Sequence, residues 1–198
     1  MNNKKLKDKL IKFETRIANL YEKKKIKGPI HLSGNNENQL IKIFKKINKQ
    51  DWVFVGWRNH YHALLKGCNQ KKIEMQIING KSMTLNSYKD KFFSSSIVGG
   101  VLPIALGVSL SLKRKKSKNK VWVFIGDMTY ETGVFYECYK YSRNMKLPLK
   151  IVVEDNNIST NTPTKKAWGK KQKKLPGLLH YSYKRKYPHH GIGKWILF

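Results

Sequence analysis

The sequence predicts an α/β protein with a mostly parallel sheet flanked by helices, on three observations. A strand at KVWVFIGD (120–127), a helix from about Thr132 to Met145 and a strand at LPLKIVVEDNN (147–157) compose one βαβ unit. A second short apolar run, DWVFVG at 51–56, reads as another buried strand. Amphipathic helical stretches precede both. A crossover helix makes its two strands parallel, and ligands of such sheets bind in the crevice beyond the strands' carboxyl ends. Asp127 and Asn156 both fall there.

Taking the elements in order, Leu6, Leu10, Phe13, Ile17, Leu20 and Tyr21 recur at helical spacing between Lys4 and Lys24. That helix has a lysine-rich outer face and ends near Gly28-Pro29. A second helix runs from about Asn35 to Asn48, with Leu40, Ile41, Phe44 and Ile47 as its apolar stripe and Ser33 as a candidate cap. After the strand at 51–56, WRNHYHALLKG begins as a polar loop and becomes helical. From Ser94, SSSIVGGVLPIALGVSLSLKRK reads as a glycine-containing turn into a small-residue helix, whose basic end suits the negative pole of the helix dipole. After Pro163 the lysine-, glycine- and proline-rich sequence predicts a loop packed on its neighbours. The 198 residues suffice for one core, hence a single domain: a helical part at 1–50, a binding core at 51–162 and a loop-rich tail at 163–198.

With 41 Lys and Arg against 12 Asp and Glu, the formal net charge is +29. Such an excess raises polyanion binding, but the lysines are spread through KKLKDK, YEKKKIKG, KRKKSKNK, TKKAWGKKQKK and YKRKY rather than clustered with stacking aromatics in any recognised nucleic-acid module. Solvated lysine faces explain them, and no specific nucleic-acid function is expected. No run approaches the roughly 20 apolar residues that span a bilayer, and no apolar stretch follows MNNKKLKDKL, so a cytoplasmic chain without a membrane partner is expected. Cys68 and Cys138 have no companions at metal-ligand spacing, which predicts free thiols and neither disulfide nor zinc.

In a chain so poor in acids, carboxylates within GDMTYETG and VVEDNN point to a cation. Mg2+ takes hard oxygen ligands, commonly one or two side chains plus phosphate oxygens and water, and Asp127 and Asn156 supply such side chains. A diphosphate would then sit against the metal and the N–H groups that start the helix after Gly126-Asp127.

Gly126-Asp127, followed 29 positions after the Asp by Asn156, resembles the thiamine-diphosphate motif that opens with Gly-Asp-Gly and closes with Asn-Asn. The surroundings resemble the alpha subunits of 2-oxo acid dehydrogenases of the pyruvate dehydrogenase type. Gly133, Glu137 and Lys146-Leu147-Pro148 stand where that family has Gly, Glu and Lys-Leu-Pro. SIVGGVLPIALG resembles the segment that places the aminopyrimidine, VGWRNHYHALLKG the one whose arginine reaches the diphosphate, and GPIHLSGNNE the one with an active-site histidine. The sequence departs from the pattern at Met128, which replaces the second glycine, and at Asp155-Asn156, which replaces the first Asn-Asn step; the chain is also shorter than a typical alpha subunit.

The resemblance implies a thiamine-diphosphate-binding fold, with thiamine diphosphate and Mg2+ as cofactors. It implies Asp127, Asn156 and the Ile158 carbonyl at the metal, and Arg58, Gly126, Met128 and Thr129 near the diphosphate. Ser96 and Val98 would offer backbone contacts to the pyrimidine, and His31, then His60, are the proton-handling candidates. It further implies a beta-like partner that carries the pyrimidine-binding domain and the catalytic Glu, an alpha2-beta2 heterotetramer, and decarboxylation of a 2-oxo acid with acyl transfer. Glu137 is read as an interface residue, and His62 and Trp52, Trp57 and Trp122 as structural. The alternatives are a transketolase-like or carboligating two-carbon transferase, a noncatalytic relative, and a basic polyanion-binding protein.

Overall fold

The computed structural model describes residues 2–169, 173–194 and 196. Helix α1 (Asn3–Glu22) is capped by the Asn2 side chain, which accepts from Lys4 N, and buries Leu10, Phe13, Ile17 and Tyr21 on one stripe. Then follow α2 (Glu37–Phe44), β1 (Trp52–Val55), α3 (His60–Lys66), α4 (Gln70–Ile78), β2 (Asn86–Ser87), β3 (Phe92–Ser94) and α5 (Val101–Arg114). The chain continues through β4 (Val121–Gly126), the single turn α6 (Asp127–Tyr130), α7 (Gly133–Asn144) and β5 (Leu149–Asp155). It ends in β6 (Ile158–Ser159), β7 (Thr162–Pro163), α8 (Thr164–Trp168) and β8 (Leu179–Ser182).

Six strands form one sheet in the order β2-β3-β1-β4-β5-β8, parallel except for the β2–β3 pair. Period-two alternation divides its side chains between two cores. Val53, Val55, Trp122, Phe124 and Val152 pack against α1 to α4, whereas Phe54, Val121, Val123, Ile125, Ile151 and Val153 pack against α5 and α7. The α/β class and the mostly parallel sheet flanked by helices are those the sequence predicts. At the amino end of the strands, Asp51 accepts from Asn48 N, Lys120 N and the Trp122 indole N–H at 3.1, 2.8 and 3.0 Å, which ties β1 to β4.

Three expectations are corrected. The tail is not merely a loop: β6 and β7 pair as a short hairpin, and β8 extends the sheet, aligning Val152 with Leu179 and Asp155 with Ser182. An unpaired edge on β5 would leave backbone donors and acceptors unmet, and Leu179 and Tyr181 supply the alternating face that packs on the α1–α4 core. The second helix stops at Phe44 rather than Asn48, because the chain turns there so that Asn48 N can reach Asp51. Ser33 does not cap it; its N–H donates to buried Glu14 Oε1 at 2.9 Å, and the capping position belongs to Asn36.

Candidate functional site

An open crevice lies over the carboxyl ends of β1, β4 and β5. Arg58, Val98, Gly126, Asp127, Met128, Thr129, Asn156 and Ile158, eight of the residues singled out from sequence, line it. The register explains why residues 29 apart meet. Gly126 lies opposite Glu154, so Asp127 and Asn156 continue from neighbouring strand ends, and adjacent strands stand about 4.8 Å apart.

The buried Asp127 carboxylate accepts a short hydrogen bond from the Thr164 hydroxyl through Oδ2. Asn156 Oδ1 accepts from Ile158 N at 3.1 Å, a local turn that fixes the amide, and its Nδ2 donates to Tyr183 OH at 3.4 Å. An amide oxygen has two lone pairs, so one on Asn156 stays available to a cation. Among the described residues no cluster of three or more His, Cys, Asp and Glu could hold a metal. A cation here would rest on carboxylate, amide and carbonyl oxygens, the hard set that suits Mg2+. At Gly56 and Gly126 a Cβ would meet nothing within 4 Å, so free space lies directly over these strand ends for a bulky anion.

Met128 fits without strain. It sits in the single turn α6 with no positive φ, and its sulfur accepts from the Trp168 indole N–H at 2.8 Å. The position requires no glycine. Because α6 is one turn, no long-helix pole stands at this point of the crevice.

The turn before α5 does require its glycine. Gly99 has φ +74°, and a Cβ there would lie 2.8 Å from Val134 Cγ1. We predict that Gly99→Ala lowers unfolding free energy by about 2 kcal/mol through left-handed strain plus overpacking, and weakens any ligand touching Val98. Urea unfolding checks this; a change below about 0.5 kcal/mol would contradict it. Ser96 does not line the crevice, whereas Val98, 51% exposed, does.

The histidine candidates separate. His60 is fully buried: its Nδ1–H donates to Glu14 Oε2 at 3.2 Å, and Nε2 meets Ser82 Oγ at 2.9 Å. Both ring nitrogens are engaged away from the crevice, so the catalytic expectation for His60 is corrected to a structural one. His31 lies just behind the crevice wall, with its ring 5.5 Å from Trp57 and 4.8 Å from His189. Its Nδ1 is buried without a hydrogen-bond partner. Burial first, then the Arg58 charge, pushes its pKa down to about 3, so the ring is neutral at pH 7. A histidine with a depressed folded pKa stabilises the fold fully above its ordinary 6.5, and this contribution is lost as pH falls from there toward 3. We therefore expect His31→Gln to flatten the fall in unfolding free energy between pH 7 and 4; parallel curves for native and variant would refute the assignment.

Sequence reasoning missed Thr164, Glu154, Tyr183, Arg185 and His189. The last four line the crevice, and Thr164 holds Asp127. Glu154 Oε1 accepts from Tyr181 OH in a short bond and from His62 Nε2–H at 3.2 Å. Burial, then the Glu154 charge, raises the Tyr181 and Tyr183 pKa values, which keeps both phenols neutral donors. One signal was readable: Leu179, Tyr181 and Tyr183 alternate as a strand would, inside a stretch that looked like a solvated lysine run.

Residues 6–174 match the family described as dehydrogenase E1 component. The chain belongs to that family. It is 28% identical over 171 residues to the pyruvate dehydrogenase E1 component subunit alpha of Rickettsia prowazekii, covering 80% of this chain and 52% of the relative. Identity is 26% over 159 residues with the mitochondrial subunit alpha type II of Ascaris suum, covering 76% and 41%. It is 29% over 160 residues with the chloroplastic subunit alpha-3 of Arabidopsis thaliana, covering 73% and 37%. This E1 chain thus spans about half, or less, of the length of these curated relatives.

Proposed function

We propose that this chain binds the diphosphate of thiamine diphosphate through Mg2+ and acts as the alpha-like subunit of a 2-oxo acid dehydrogenase. The observation that carries the reading is the convergence of Asp127, Asn156 and Arg58 on one crevice, in a chain of the E1 family. Asp127, Asn156 and the Ile158 carbonyl would hold the metal, and Arg58 with the N–H groups of Met128 and Thr129 would bind the diphosphate. When bound, thiamine diphosphate supplies the carbon nucleophile that attacks a 2-oxo acid and accepts its electrons on decarboxylation. The chain's own task is to orient that group and to exclude water with Trp57 and the apolar turn at Ile97-Val98, with His31 behind it as the proton-handling candidate.

A beta-like partner completes the site in this reading. Ile97, Val98, Ile104, Tyr136 and Tyr141 are all exposed on the 97–98 turn, α5 and α7, an apolar face beside the crevice. Such a face favours burial against another chain. Exposed Glu137 shares α7 with it. A two-carbon transferase would use the same cofactor, but the E1 family match favours the dehydrogenase component.

The test is thermal unfolding of the chain, alone and with a beta-like subunit, with thiamine diphosphate plus Mg2+. Ligand that binds only the folded state must raise the midpoint. A rise abolished by chelating the metal supports the reading; no rise in either preparation overturns it.

A further inference from the structure

Arg185 belongs to none of the matched motifs and lies beyond the family match, which ends at residue 174. It stands in the segment after β8, whose Tyr183, Arg185 and His189 line the crevice. That segment is fastened on both sides. Tyr183 N donates to Asp155 O at 2.9 Å, Asn35 Nδ2 to Lys184 O at 3.0 Å, and Gly191 N to Ile30 O at 2.8 Å.

The guanidinium is only half satisfied. Its Nη2 donates to Thr160 O at 3.0 Å, whereas Nη1 is buried and has no hydrogen-bond partner. Arg58, across the same crevice, makes only long contacts to the Leu32 and His189 carbonyls, at 3.4 and 3.5 Å. Among the described residues neither arginine forms an ion pair. Neither crevice carboxylate is paired with an arginine: Asp127 Oδ2 accepts from Thr164, and Glu154 Oε1 accepts from Tyr181 and His62. Two guanidinium groups facing one cavity repel each other, and a buried charged donor without an acceptor is costly. An anion that reaches both relieves both penalties.

We infer that Arg185 is a second diphosphate ligand, gripping from the β8 side what Arg58 grips from the β1 side. The inference rests on the cofactor reading above. Strand order supports it: β4 and β5, which carry Asp127 and Asn156, lie between β1 and β8. A diphosphate on the metal therefore has one arginine on each flank. Arg185 belongs to the metal end of the crevice. Its Nη2 donates to Thr160 O, two residues past Ile158, and Tyr183, two residues before Arg185, accepts from the Asn156 amide through its OH. A diphosphate has oxygens enough for a forked contact from each side, which a planar guanidinium makes and an ammonium does not.

The experiment is calorimetric titration of the full chain with Mg2+ and either inorganic pyrophosphate or thiamine diphosphate, for native protein, Arg185→Gln, Arg185→Lys and Arg58→Gln. Arg185→Gln is expected to weaken both ligands by the same factor, about tenfold or more, and Arg185→Lys to recover only part of the loss. Unchanged ligand-free thermal midpoints keep the comparison clear of folding. Native-like affinity of Arg185→Gln for both ligands, with Arg58→Gln weakened, overturns the role of Arg185 and leaves the cofactor reading intact. Failure of the native chain to bind either ligand, both alone and with a beta-like subunit, overturns both.

Discussion

Asp127→Ala is expected to abolish the metal-dependent thermal stabilisation by thiamine diphosphate, whereas Asp127→Asn separates the two tasks of this side chain. The carboxylate accepts the Thr164 hydroxyl through one oxygen and has the other for a cation. Alanine removes both, leaving Thr164, itself fully buried, without its acceptor. Asparagine keeps an acceptor for Thr164 but loses the charge that Mg2+ demands. At a ligand concentration a hundredfold above Kd, linkage adds about 2.7 kcal/mol, which raises the midpoint of a domain this size by roughly 5–10 °C. Native protein should show that rise and both variants none, and ligand-free Asp127→Asn should melt near native. A full rise in Asp127→Asn would remove Asp127 from the metal.

The largest effect on stability is expected far from the crevice. Glu14 is fully buried on α1 and accepts from the Ser33 backbone N–H at 2.9 Å and from His60 Nδ1–H at 3.2 Å. Glu14→Ala leaves two buried donors without acceptors and opens a cavity. We expect a loss of about 3–5 kcal/mol, typical of breaking a buried pair by removing one partner, and so roughly 6–20 °C in the midpoint. Because Ser33 is two residues from His31, ligand affinity should fall as well. Calorimetric unfolding of Glu14→Ala and Glu14→Gln measures both effects, with Gln recovering part by keeping an acceptor. A loss under about 1 kcal/mol in Glu14→Ala would show that water reaches this position.

The βαβ unit could be read because strand and helix periods are local properties of the chain, and the consequence that Asp127 and Asn156 share the carboxyl edge follows from the crossover helix, which makes the two strands parallel. The helix at 70–78 carries only Ile73 and Ile77 as buried apolar positions, and the three-residue β3 leaves almost no pattern. Neither has enough period to stand out in sequence. His31 and His60 look alike in sequence, each in a polar segment. Only packing distinguishes them, since Glu14 and Ser82, which hold His60, are 46 and 22 residues away from it.

By itself, then, the sequence determined the α/β class and placed Asp127 and Asn156 at the carboxyl edge of one βαβ unit, because periodicity and motif spacing are properties of neighbours along the chain. Only the tertiary structure decided that the tail returns as β8, that Thr164 holds Asp127, that His60 is a strut and that Arg185 faces Arg58. Those facts depend on side chains meeting across the sheet and across long stretches of chain, where burial and hydrogen bonding, rather than local propensity, set the partners.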